Sequence, residues 1–139
     1  MTRTRFILGV LLLGILTFAL PAKGEEPRGV ARLVLERTEH NFGTIDRRGG
    51  KVHTEIRLRN EGDIPLLLTR VTTSCTCLKS HFSKRPIPPG GEGVIEVDYE
   101  PLKAAPGSFN KVVQILSNSV DGRKVVTIRG VSLETKRRR

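Results

Sequence analysis

The sequence predicts an all-β fold, an antiparallel β-sandwich of about seven to eight strands. Three observations predict it. From Ala31 onward apolar residues recur with a period of two, as in strands with one face in a core and one in water. Gly, Pro, Asn and Asp clusters interrupt these rows roughly every 8–12 residues. No stretch after residue 30 carries an apolar stripe at helical spacing over ten residues. The chain has 139 residues, one domain's worth, and too few for a TIM barrel, which needs about 200 or more.

Taken in order, Arg3 and Arg5 precede the apolar run Phe6–Leu20, whose one polar member is Thr17, and Pro21-Ala22 follows. A charged start, a short apolar run and a break at a small residue read as a secretory signal peptide, 1–22, cleaved after Ala22, with an uncleaved N-terminal anchor as the alternative. The run would rise about 22 Å as a helix, short of the ~30 Å of a hydrocarbon core. Residues 23–30 are a polar linker, 31–133 the sandwich and 134–139 a basic C-terminal tail.

Within the sandwich, strands are expected at about 31–37, 42–45, 51–59, 65–73, 77–82, 93–99, 109–117 and 123–131. The clearest is Lys51–Asn60, where Val52, Thr54, Ile56 and Leu58 alternate with His53, Glu55, Arg57 and Arg59. Ile95, Val97 and Tyr99 alternate with Glu96, Asp98 and Glu100; Phe109, Val113 and Ile115 form another row, Val126 and Ile128 a third. A span of about 100 residues suits an immunoglobulin-like sandwich. The Cys…Trp…Cys spacing of antibody domains is absent, as there is no Trp. Phe42-Gly43 is expected to start a sheet-switching bend. Asn60-Glu61-Gly62 reads as a hairpin-like turn with Gly62 at positive φ. Pro86-Ile87-Pro88-Pro89-Gly90 must be a loop or edge, since prolines give no ladder donors; Ile87 plugs the end of the core. Asn118 caps the turn after its strand.

Several short motifs in this order carry a resemblance. They are His40-Asn41-Phe42-Gly43-Thr44-Ile45, Leu58-Arg59-Asn60-Glu61-Gly62, Pro65-Leu66, Ser74-Cys75-Thr76-Cys77, Pro86–Gly90, Ile95-Glu96-Val97-Asp98-Tyr99, Gly107-Ser108-Phe109, Ser117-Asn118 and Gly130-Val131. Over about residues 35–133 the chain resembles a bacterial exported family of unknown function, similar to Hydin-type and major-sperm-protein-type Ig-like domains. The resemblance implies an Ig-like fold, the cell envelope and a binding or scaffolding role, with no established catalytic residues. Where the family pattern usually has Gly between the two cysteines, this chain has Thr76.

Cys75 and Cys77 are the chemically reactive pair. In a flat strand, residues i and i+2 lie about 6.6–6.8 Å apart at Cα, and their parallel side chains miss disulfide geometry. A bond between them therefore requires a bulge or tight turn. The open readings are a buried or locally bonded pair, Cu(I) binding by Cys75, Cys77 and His81, thiol exchange, and an intermolecular disulfide. Zinc would need four ligands.

The formal charge is +10, from 24 Lys+Arg against 14 Asp+Glu. Setting aside Arg3, Arg5 and Lys136-Arg137-Arg138-Arg139 leaves 18 basic residues against those 14 acidic ones. The basic rows carry no interleaved aromatics for base stacking, so no nucleic-acid partner is expected. The tail Lys136, Arg137, Arg138 and Arg139 suits an anionic envelope surface. No Gly-x-Ser-x-Gly, no His-Glu-x-x-His and no Ser-x-x-Lys with its partner motifs occurs. Gly43–Lys51 departs from a phosphate loop, with Val52 where Ser or Thr would bind magnesium. The expectation is a non-enzymatic, periplasmic or secreted Ig-like module without a cofactor, binding a protein or an anionic envelope polymer. The alternative is a copper-binding or thiol-redox protein centred on Cys75 and Cys77.

Overall fold

The computed structural model describes residues 29–134. The expected signal peptide, all but the end of the linker and the Lys136–Arg139 cluster lie outside the described residues. Eight strands form: β1 Leu33–Leu35, β2 Glu39–Asp46, β3 Val52–Asn60, β4 Leu68–Thr73, β5 Leu78–Phe82, β6 Glu92–Tyr99, β7 Gly107–Ser117 and β8 Lys124–Leu133, with a 3-10 turn at Pro101–Lys103. They make two four-stranded sheets, β1-β3-β6-β5 and β2-β8-β7-β4. The inward rows pack between the sheets as the alternation predicts. Ile56, Leu58, Ile95, Val97, Tyr99, Phe109, Val113, Ile115, Val126 and Ile128 are buried. Removing such side chains from water is the main stabilising term, about 1.5–3 kcal/mol for each large one. Tyr99 stacks on Phe109 at 4.1 Å between ring centroids.

One pairing departs from the antiparallel expectation. β2 runs parallel to β8, from Glu39 opposite Thr127 to Asp46 opposite Leu133. These strands lie far apart in sequence, so no hairpin turn fixes their relative direction. Their register shifts between Asn41 and Thr44, where Gly43 takes φ +67° and its N–H donates to the Asn41 side chain at 2.8 Å. Gly43 thus forms a bulge inside β2. The switch of sheet falls earlier, between Leu35 and Glu39, which corrects the sequence reading. Phe42 still packs on the core, its ring 6.5 Å from Tyr99.

Gly62 is a second correction. It is not among the positive-φ glycines, and β3 and β4 lie in different sheets, so the turn is no hairpin. A Cβ on Gly62 would stand 2.1 Å from the Val30 carbonyl and 2.8 Å from Ala31 Cα; glycine is needed there for close approach. Beside it, Asn60 is fully buried and its side chain joins three segments. Its Oδ1 accepts from Gly62 N–H at 2.9 Å and Arg32 N–H at 3.4 Å. Its Nδ2 donates to the carbonyls of Ile64 at 2.8 Å and Ile87 at 3.0 Å. Ile87 is buried as expected and exchanges two backbone bonds of 2.8 Å with Leu66. Asn118 caps a different loop from the expected one: its Oδ1 accepts from Leu67 N–H and its Nδ2 donates to Pro65 O.

Asn60→Ala strands several buried polar groups, each costing about 1–3 kcal/mol. The expected loss in urea-unfolding free energy is about 2–4 kcal/mol. A loss below about 1 kcal/mol would show that water replaces the Asn60 amide.

Candidate functional site at the cystine turn and the β5 edge

Thr73 ends β4 in one sheet and Leu78 begins β5 in the other, so Ser74–Cys77 carries the chain across the sandwich. Ser74 is tied to β7: its N–H donates to Val112 O and its Oγ accepts from Val112 N–H, both at 2.9 Å. Cys77 O accepts from Glu100 N–H at 2.8 Å. Leu78 N–H donates to Cys75 O at 3.1 Å, closing a four-residue turn. The Thr73 hydroxyl lies 3.2 Å from both Cys75 O and Leu78 O.

This turn meets the geometric condition set by the sequence. Cys75 and Cys77 are 5.1 Å apart at Cα and are joined by a disulfide. Thr76 keeps a negative φ, since no non-glycine residue among those described has a positive one. A glycine is therefore not required to turn the chain here. Cys77 is completely buried, whereas Cys75 is partly exposed. With its sulfurs bonded to each other, the pair in this form offers no thiolate to a metal. His81 is exposed on β5, in register with Glu96. Among the described residues, no group of three or more His, Cys, Asp or Glu is placed to hold a metal ion.

The outer face of this sheet is laced with ion pairs. Asp98 accepts from His53 Nδ1 at 2.8 Å and from Lys51 Nζ at 3.1 Å. These two partners, the histidine first, hold its carboxyl below the usual range. Glu100 is gripped by Lys103 at 2.8 Å and Lys79 at 2.9 Å; both lower its pKa, and Glu100 in turn raises that of Lys79. These are wet pairs, screened by solvent, and each adds little to stability. Both shifts favour the ionised carboxylates of Asp98 and Glu100.

Four strands have an unpaired side: β1 and β5 in one sheet, β2 and β4 in the other. β1 is three residues long. The registers of β2 and β4 both shift, between Asn41 and Thr44 and between Leu68 and Arg70, which blunts an edge. β5 pairs with β6 in unbroken register, Leu78 opposite Tyr99 to Phe82 opposite Ile95. The Glu100-to-Cys77 bond fixes which groups face outward. Counting on in twos, Lys79 and His81 bond to β6, and Ser80 and Phe82 direct N–H and C=O to the open side. Leu78's groups also face that side but are used by Cys75 and Thr73. Alternation and turn residues mark this strand but not its place at an edge; Lys79, His81, Lys84 and Arg85 on and after a short strand are the available signal.

The family described as Protein of unknown function (DUF1573) matches residues 33–132, from β1 almost to the end of β8. The chain belongs to this family. No curated protein matches it. Among solved structures, it is similar to a protein of unknown function from Porphyromonas gingivalis W83, with 24% identity and a TM-score of 0.65, over 73% of this chain and 46% of that one. This chain thus spans about half the length of that protein. It is also similar to PapD-like domain 7 of human CEP192, an ASH / PapD-like domain, with 9% identity and a TM-score of 0.63, over 77% of this chain and 89% of that one. A third likeness is the YadV chaperone, with 15% identity and a TM-score of 0.55, over 76% and 54%. These likenesses establish a PapD-like, Ig-like fold for the DUF1573 domain.

Two measurements test the site's energetics. A disulfide closing three residues constrains the unfolded chain little, about 1.6 kcal/mol by the chain-entropy relation. Reduction should lower the urea-unfolding free energy by about 1–2 kcal/mol at an unchanged slope; a loss above about 4 kcal/mol would contradict this. Asp98's folded pKa is depressed, so its contribution is present above the unfolded value near pH 4 and is lost as pH falls through the folded one. Asp98→Asn should thus be less stable than wild type at pH 7, by about 0.5–1 kcal/mol, with the gap closing as pH falls from the unfolded value through the folded one.

Proposed function

We propose that this DUF1573 domain is a non-enzymatic binding module of the bacterial cell envelope that docks an extended segment of a partner protein along β5. The observation that carries the reading is the unbroken β5 register, with main-chain groups of Ser80 and Phe82 directed outward. Such an edge can take another strand, main-chain bonds supplying affinity and side-chain sites specificity. The likeness of the fold to PapD-like domains, one of them in a chaperone, supports a binding role, as does the lack of a catalytic constellation in the sequence. The apolar run Phe6–Leu20 supports export.

Charge narrows the partner. Lys79, His81, Lys84 and Arg85 line β5 and the residues after it, and Arg70 lies on neighbouring β4. Arg70, Lys84 and Arg85 take part in none of the ion pairs among the described residues. Two copies pairing through β5 would bring these cations together, which disfavours self-association. An acidic strand from a different protein fits better.

The test is capture of an envelope protein by the purified chain, comparing wild type with Ser80→Pro and with Lys84→Glu/Arg85→Glu. Ser80→Pro removes an outward N–H and leaves the bonds to β6 in place. Both variants should keep the wild-type circular dichroism and bind the captured protein at least about tenfold more weakly. Capture of nothing across a range of salt, or equal binding by all three proteins, would overturn the reading.

A further inference from the structure

We infer that the Cys75–Cys77 pair is a thiol–disulfide exchange site whose substrate is a polypeptide dithiol. The inference does not depend on docking at β5.

The crossover from β4 to β5 is held without the sulfur bond. Ser74 is tied to Val112 by two hydrogen bonds, Cys77 O to Glu100 N–H, and Cys75 O to Leu78 N–H. A disulfide spanning one intervening residue inside such a frame adds little to what the backbone has already joined. The pair is therefore poorly explained as a staple.

The two sulfurs are unequal in ways that exchange chemistry requires. Cys77 is wholly buried, while Cys75 keeps part of its surface in solvent. An incoming thiolate thus meets Cys75 first, since attack needs access to the sulfur. Cys77 N–H donates to Cys75 Sγ at 3.1 Å. That hydrogen bond strengthens when Sγ becomes a thiolate, so it favours the ionised form of reduced Cys75.

The step balances as an exchange. One thiolate of the substrate dithiol attacks Cys75 Sγ; the Cys75–Cys77 bond breaks and the Cys77 sulfur leaves and takes up a proton. The substrate's second thiolate then attacks its own sulfur in the mixed disulfide, releasing Cys75. The dithiol is oxidised to a disulfide, and the cystine gains the two electrons and two protons.

Wild-type chain is mixed with reduced glutathione, quenched by alkylation at short times and mapped by mass spectrometry. Glutathione should appear on Cys75 at least about tenfold more than on Cys77. A synthetic peptide bearing two thiols should be oxidised with a stoichiometry of one per chain, with the far-ultraviolet circular dichroism unchanged. Two variants give a check: Cys77→Ala should form a mixed disulfide with a peptide disulfide about tenfold faster than Cys75→Ala. Reduction only in denaturant that unfolds the chain, or equal labelling of Cys75 and Cys77, would overturn the proposal.

Discussion

The buried amide of Asn60 is the constraint on which one end of the sandwich depends. Three irregular segments meet there: the chain entering β1, the crossing from β3 to β4, and the proline-rich loop ahead of β6. None is a regular ladder, so their backbone groups need partners from elsewhere. Asn60 serves them with both ends of one side chain. Gly62 makes this possible by letting the entering chain come within van der Waals distance of the turn. An Asp would lack the two donors to Ile64 O and Ile87 O, and a Leu would satisfy nothing.

A similar close approach sets the other sheet. Gly130 on β8 faces the Phe109 ring; a Cβ there would stand 2.7 Å from its Cζ and 2.9 Å from Gly43 O. The bulge at Gly43, the missing side chain at Gly130 and the Phe109–Tyr99 stack therefore form one packing unit. It lets a parallel strand be added to a sheet whose other pairs are antiparallel. The Tyr99 hydroxyl is buried without a hydrogen-bond partner among the described residues, which marks Tyr99 as held for its ring, since a buried hydroxyl alone is a cost.

The strand edges then divide by their regularity. A bulge blunts β2, an irregularity blunts β4 and brevity limits β1, while β5 is the edge strand that keeps an even ladder over five residues. The cystine turn delivers the chain into β5 from the opposite sheet, with its hydrogen bonds reaching β7 on one side and the end of β6 on the other. The geometry that leaves β5 unpaired thus also leaves Cys75 partly exposed at its start. Surface charge is uneven as well: Asp98 on β6 is held by Lys51 and His53, whereas Arg70 on β4 and Lys84 and Arg85 after β5 are in none of the ion pairs among the described residues.

The sequence by itself determined the all-β class, the number of strands, most inward rows and the burial of Ile87. These follow from side-chain alternation and turn chemistry, which act over a few residues. It also determined the condition for a Cys75–Cys77 bond, a tight turn, because that condition is local geometry. Tertiary structure decided the rest. The direction of β2, the role of Gly43 as a bulge, the close approach at Gly62 and the reach of Asn118 to Pro65 and Leu67 all depend on segments distant in the chain. So does the identity of the open edge: the pattern of β5 is that of any half-buried strand, and only the order of strands in the sheet leaves its Ser80 and Phe82 main-chain groups without a neighbour.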